Sequence, residues 1–350
     1  MIFLKKIIIA VFLFFNAVYG AKTSKQSAAI LLCPVKKICD SFCKSNYVIE
    51  KIQGGATNAL LFKIKHQNKN YILKIFPKHL HFKAFKNEIL THKLAEKIGI
   101  APKIFKAVYC EKKYAYIIMS YEKGHCLRFC DLQNQKVLRN IGKTIAKIHT
   151  ISSVKGFDIQ KNWSLESKTH YRYRFIKKNK ISVPSCYDDV YKKYIIELKG
   201  DKEPKKLCHG DLSKGNIIIG EKNRIFLIDW TSNAMDNPYH DIGFFIAANH
   251  LSKAQEKTFL QGYFRKKASR GHIKKVQKSK IRSYFLIASV YLSKAELKNQ
   301  NLDVILSSDA LKDINFFQIN NDVSLLDPDK KKLCRYGLCF LKTYLESHRH

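Results

Sequence analysis

HGDLSKGN (209–216), followed by IDW (228–230), is the stretch that decides the reading of this 350-residue chain. The first segment offers a carboxylate at Asp211 and a side-chain amide at Asn216. A second carboxylate, Asp229, follows the apolar run IFLI (225–228). Between them, the short apolar segment Ile217–Ile219 and the turn GEKN (220–223) read as the first arm and bend of a hairpin. The hairpin returns Asp229 to the loop that carries Asp211. Phosphoryl transfer needs a carboxylate to orient and deprotonate an acceptor hydroxyl, and oxygen ligands for the Mg²⁺ that neutralises the phosphates. Asp211 fits the first task, and Asn216 with Asp229 fits the second. His209 is expected to orient the loop rather than to react.

Upstream of this centre the pattern is strand-like. Tyr47–Gln53, Ala59–Lys65 and Tyr71–Phe76 are apolar runs, the last two joined by the turn-forming HQNKN (66–70). Phe82–Ile98 has helical spacing, with Phe82, Phe85, Ile89 and His92 on one face and Gly99 and Pro102 to end it. Ile104–Tyr109 and Tyr114–Ser120 add two strands. After Gly124 helices dominate: Val137–Thr150, then stretches around 186–199, 238–250, 253–264 and 281–298. A small antiparallel β lobe with one helix, joined to a larger helical lobe, is an α+β arrangement with a cleft between the lobes. The first lobe is expected to hold a nucleotide. QGGATN (53–58) lies between two strands, where Gly55 lets backbone amides approach phosphates. Lys74 sits on a strand with its ammonium in reach of those phosphates, and Glu88 on the following helix can pair with it.

Taken in order, the glycine turn, strand lysine, helix glutamate, HGDLSKGN loop and IDW resemble the choline kinase and aminoglycoside phosphotransferase family, over roughly residues 47–300. The resemblance implies a two-lobed protein-kinase-like fold. Its nucleotide-binding lobe spans 47–121 and its catalytic and substrate lobe 122–350, behind a lead-in (21–46) and a signal-like segment (1–20). It implies ATP and Mg²⁺ as cofactors, with Gly54, Gly55 and Asn58 in the glycine turn. It puts Lys74 on the α- and β-phosphates, paired with Glu88, and the backbone of Ser120, Tyr121 and Glu122, in the linker IIMSYEKG (117–124), on adenine. Asp211 becomes the catalytic base, Asn216 and Asp229 the metal ligands, and Asp241, with His209, support for the loop. KIH (147–149) matches a recurrent feature. IDWTSNAMDNPYHDIG (228–243) is similar to bacterial choline and thiamine kinase-like proteins. The implied acceptor is a small-molecule alcohol, choline or a related amino alcohol first, with Trp230, Tyr284 and Tyr291 as aromatic contacts for its cation. A kinase for another alcohol (thiamine, an aminoglycoside, a sugar) and a non-catalytic exported binding module stay open as alternatives. Three departures stand against choline: Gly210 where an Asn is usual, Thr231 where an acid is usual, and the acid-free FFIAANH (244–250).

The formal net charge is +36, from 64 Lys and Arg against 28 Asp and Glu. Such a charge attracts anions. The basic residues form no single stripe, however, and no zinc-finger, RNA-binding or helix-turn-helix signature accompanies them, so specific nucleic-acid binding is not expected. The ten cysteines have no C-x-x-C spacing, which argues against a zinc or redox motif; most read as small buried hydrophobes. Lys5 and Lys6 precede the apolar run Ile7–Phe15, with Gly20 and Ala21 beyond, which reads as a secretory signal too short to span a bilayer. Export or membrane association follows from it, and a cytoplasmic enzyme is the alternative, since ATP is scarce outside the cytosol. Lys330–His350 reads as a terminal helix packed on the second lobe.

Overall fold

Alternating apolar residues build five antiparallel strands in the computed structural model: β1 (Tyr47–Ile52), β2 (Leu60–His66), β3 (Lys69–Phe76), β4 (Ile104–Cys110) and β5 (Tyr114–Ser120), in the order β1-β2-β3-β5-β4. The structure describes residues 35–52, 59–76, 80–110, 114–158, 163–295, 301–307, 311 and 329–348. The signal-like segment and the glycine turn, with Gly54, Gly55 and Asn58, lie outside the described residues. The HQNKN stretch closes the β2–β3 hairpin through a two-residue turn, His66 pairing with Lys69, with Gln67 at φ 52°.

Successive side chains of a strand point to opposite faces. On β3, Leu73 therefore joins Phe62, Ile64, Tyr116 and Ile118 on one face. A helix over residues 35–43, α1, covers that face through Val35, Ile38, Cys39 and Cys43. Ile72 and Phe76 join Ala115, Ile117 and Met119 on the other face, against helix α2 (Phe82–Lys97). Lys74 falls between Ile72 and Phe76 and so turns toward α2. The buried side of α2 runs through Phe85, Glu88, Thr91, His92 and Ala95. Phe82, expected on that side, is half exposed at the helix start, where its ring leans on Tyr109.

The helical lobe contains α3 (Gln135–Ile148), α4 (Leu165–Lys178), α5 (Tyr187–Lys199), α6 (Pro238–Ala248), α7 (Lys253–Phe264), α8 (Arg270–Leu292), α9 (Leu302–Ser307) and α10 (Lys330–Glu346). One core packs α3, α6 and α7 around the HGDLSKGN loop, and a second joins α4, α5, α8 and α10. Two expectations need correction. The helix expected at 281–298 begins at Arg270, because Ser269 caps it by accepting the His272 amide. Helix α4, not anticipated from the sequence, is capped by Ser164 and carries Glu166 in its first turn and Lys177 and Lys178 in its last. Around the loop, β6 (Gly124–Cys126), β8 (Ile217–Gly220) and β9 (Ile225–Leu227) form a small sheet, with β7 (Lys206–Cys208) and β10 (Ala234–Asp236) paired beside it. Cys39, Cys43, Cys208, Cys334 and Cys339 are buried, Cys126 and Cys130 are exposed, and none of the described cysteines is in a disulfide. No described helix is long and apolar enough to cross a membrane.

Candidate active site

The loop that carries Asp211 is fixed from beneath. Asp241, in the first turn of α6, accepts the amides of His209 (2.7 Å) and Gly210 (2.8 Å) on its two carboxylate oxygens. His149, the residue that ends α3, lies 3.1 Å from Asp241 Oδ2 through Nε2, and its Nδ1 is 2.8 Å from the Tyr263 hydroxyl. This is the place of KIH in the structure: its histidine braces the carboxylate that braces the loop. Burial opposes the charge of Asp241, but the hydrogen bonds from His149 and the loop amides outweigh it and hold the carboxyl below its ordinary range. His149, Cys208 and Asp241 lie close enough to hold a metal ion, yet the His149 nitrogens and Asp241 oxygens are already spent on these bonds.

His209 Nε2 lies 3.0 Å from the Ile228 carbonyl oxygen, and the His209 ring packs against the Trp230 indole at 4.6 Å, tilted by 59°. Trp230, expected as a ligand contact, is fully buried, and its N–H donates to the Leu227 carbonyl. It is a floor under the loop and presents no surface to a ligand. Gly210 has φ +78°, and a Cβ there would lie 2.1 Å from the Ser232 carbonyl oxygen. The loop closes only with glycine at this point.

Further contacts gather the cleft residues. Ile228 donates its amide to the Asn216 carbonyl, so the hairpin sets Asn216 beside the residue before Asp229. The Asn216 side-chain amide donates to Asp211 O (3.0 Å) and Ser213 Oγ (3.4 Å). Lys74 bonds Glu88 Oε1 at 2.9 Å and Asp229 Oδ1 at 2.8 Å, joining the two lobes. Thr231, where an acid was expected, donates to Asp229 Oδ1 at 2.7 Å. Asp229 itself is in the left-handed region at φ 61°. Burial weighs against the Lys74 charge, but Glu88 and Asp229 together keep it a cation, with its pKa raised. The Asp211 carboxyl is raised by burial, and the neighbouring Asp229 charge adds to this while His209 opposes it.

In the linker, the amides of Ser120 and Tyr121 are taken by the Lys103 and Asn70 carbonyls, and Ser120 Oγ donates to Glu122. The Lys63 ammonium lies 4.3 Å over the Tyr121 ring. Tyr284 and Tyr291 stand half-buried on α8, against Phe340 and Tyr336 of α10. Burial, with a smaller push from Asp211, raises the Tyr291 phenol to about 12, so of these two tyrosines Tyr291 is the one that senses the loop carboxylate.

Sequence reasoning missed Lys168. It sits in the first turn of α4, and its ammonium donates to the Gly210 carbonyl at 2.7 Å. Burial pushes its pKa down, against the pull of Asp241, Asp211 and Asp236. The signal that was available was the helix start at Ser164-Leu-Glu166, which sets Lys168 on the first turn; nothing in the sequence marks this lysine among its many neighbours.

The family model described as the phosphotransferase enzyme family matches residues 48–273. Protein LicA of Haemophilus influenzae is 24% identical over 150 residues, 41% of this chain and 52% of that protein. The chain spans between a fifth and about half the length of the curated relatives it matches. Among solved structures, the choline kinase of Cryptosporidium parvum superposes with a TM-score of 0.61 at 15% identity, covering 90% of this chain and 94% of that one. The choline kinase LicA of Streptococcus pneumoniae gives 0.59 at 19% identity, covering 78% and 95%. At these identities the superpositions establish the protein-kinase-like fold alone. The family model covers well over half of the chain, and the chain belongs to the phosphotransferase enzyme family.

Proposed function

We propose that this member of the phosphotransferase enzyme family moves the γ-phosphoryl group of ATP to a hydroxyl of a small molecule, with Asp211 as the base. The observation that carries this reading is the Lys74 ammonium bonded to both Glu88 and Asp229, across the cleft from a loop that Asp241 pins at its two amides. Lys74 binds the nucleotide phosphates, with Glu88 fixing its position. The linker backbone at Ser120–Glu122 and the glycine turn hold the rest of the nucleotide. Asp211 accepts the acceptor's hydroxyl proton as that oxygen forms its bond to the γ-phosphorus, the bond to the β-bridging oxygen breaks, and ADP leaves.

The residues fit a magnesium ion. Both contacts of Asp229 fall on Oδ1, and the Asn216 NH₂ is turned to its own loop, which leaves oxygen for a hard cation. Asn216 and Asp229 would hold Mg²⁺, which supplies charge neutralisation on the phosphates.

The likeness to choline kinases puts choline or a related amino alcohol first among acceptors. A second reading, an alcohol without a fixed positive charge, is favoured by one observation: the Lys168 ammonium bonds the carbonyl of Gly210, the residue before Asp211. A screen of acceptor-dependent ADP release over choline, ethanolamine, thiamine, aminoglycosides and sugars tests the proposal. Turnover with at least one acceptor is expected, lost by about a thousandfold or more in Asp211→Asn with nucleotide binding kept. An Asp211→Asn protein as active as the parent would remove Asp211 from its role.

A further inference from the structure

Lys168 reaches the loop from outside every motif. Lys168 lies 42 residues before Gly210 along the chain, yet its Nζ lies 2.7 Å from Gly210 O, one residue before Asp211. An ammonium can donate three hydrogen bonds. Among the described residues Lys168 makes one, to this carbonyl. Lys168 also lines a small hollow of about 20 Å³, partly open to solvent, whose walls include Trp163, Gly210, Asp236, Phe244 and Leu286.

The carboxylates around it have other partners. Asp241 takes the loop amides and His149, while Asp236 takes the Leu165 and Asn237 amides and lies 3.2 Å from His240. Lys168 is thus a partly buried cation with donors to spare. Its room depends on Gly210, since a Cβ at that position would lie 2.3 Å from Nζ. A side chain on residue 210 would oblige this ammonium to shift.

We infer that Lys168 is an acceptor-specificity residue: its ammonium donates to an oxygen borne by the acceptor beside the hydroxyl that is phosphorylated, and repels an acceptor carrying a fixed positive charge there. The inference rests on the reading of Asp211 as the base of a small-molecule kinase. A quaternary ammonium can accept no hydrogen bond, and in a partly desolvated cavity the like charge is costly. A neutral group of the same shape meets neither penalty.

The test uses the full-length protein and charge-matched acceptors: choline, its neutral carbon isostere dimethylbutanol, glycerol and glycerate. The neutral isostere is expected to exceed choline in kcat/KM by about tenfold or more. Lys168→Met should move that ratio toward choline by about tenfold and raise the KM for glycerol and glycerate, with the KM for ATP unchanged; Lys168→Arg, which keeps the cation, should keep the ratio. A ratio within about twofold of wild type in Lys168→Met overturns the inference. A wild-type protein that prefers choline to its isostere overturns it as well, without recourse to any variant that misfolds. In both cases turnover persists and the kinase reading stands. Bound nucleotide with no ADP release from any acceptor would instead bring down the kinase reading itself, and the specificity role with it.

Discussion

Two lysines approach the HGDLSKGN loop from opposite sides, and their partners differ. Lys74, on a central strand of the small lobe, bonds two carboxylates, at 2.9 and 2.8 Å. Lys168, on the first turn of a helix in the large lobe, bonds a carbonyl at 2.7 Å. The first ammonium is held between the lobes by two carboxylates, and the second makes a single bond to a neutral group. In a chain of +36, the partners rather than the charge distinguish one lysine from another.

Substituting each lysine in turn is the strongest way to break this comparison. Lys74→Met leaves Glu88 and Asp229 buried without their counter-ion, and a loss of about 3–5 kcal/mol in unfolding free energy is expected, with turnover falling by about a hundredfold or more. Lys168→Met strands only a carbonyl, and a loss of about 1 kcal/mol is expected from denaturant unfolding. Equal losses would show that Lys168 is as structural as Lys74. Gly210→Ala probes the space that Lys168 occupies. The positive φ and the Ser232 carbonyl should cost about 1–3 kcal/mol, and adding Lys168→Met should relieve only the part due to the ammonium. The smallest effect is on pH dependence. Burial, aided by the Asp229 charge, raises Asp211, so its carboxyl stays protonated to a higher pH than a free aspartate. Acidification should therefore reduce kcat/KM with a midpoint above about 3.9. A limb at or below that value would show that the loop carboxylate is not the group being titrated.

The same comparison measures what could be read in advance. Lys74 was legible because strand alternation, a following helix and Glu88 are local features; a period of two sends Lys74 to the face that α2 covers. The hairpin between Asn216 and Asp229 was legible for the same reason. Lys168 was not, because its meaning depends on a contact with Gly210 that no pattern within α4 encodes. Trp230 was misread in the opposite sense. An aromatic next to a candidate metal ligand suggests a cation contact, but its burial beneath His209 is set by α6 and the loop together. The acid-free run 244–250 also makes sense in three dimensions: Phe245, Ile246 and Ala247 are core residues, and Phe244 alone of these first four keeps partial exposure.

The double bond of Lys74 has a mechanical consequence. Glu88 belongs to the helix of the small lobe and Asp229 to the hairpin of the large one, so a single side chain rivets two separately packed bodies. Pulling the lobes apart would strand opposite charges in a dry crevice. Partial openings of either lobe are therefore penalised, and slow amide exchange in β3 should be tied to that of the segment around Asp229. The lysine assigned to phosphate binding would also make the two halves lose their structure together rather than one after the other.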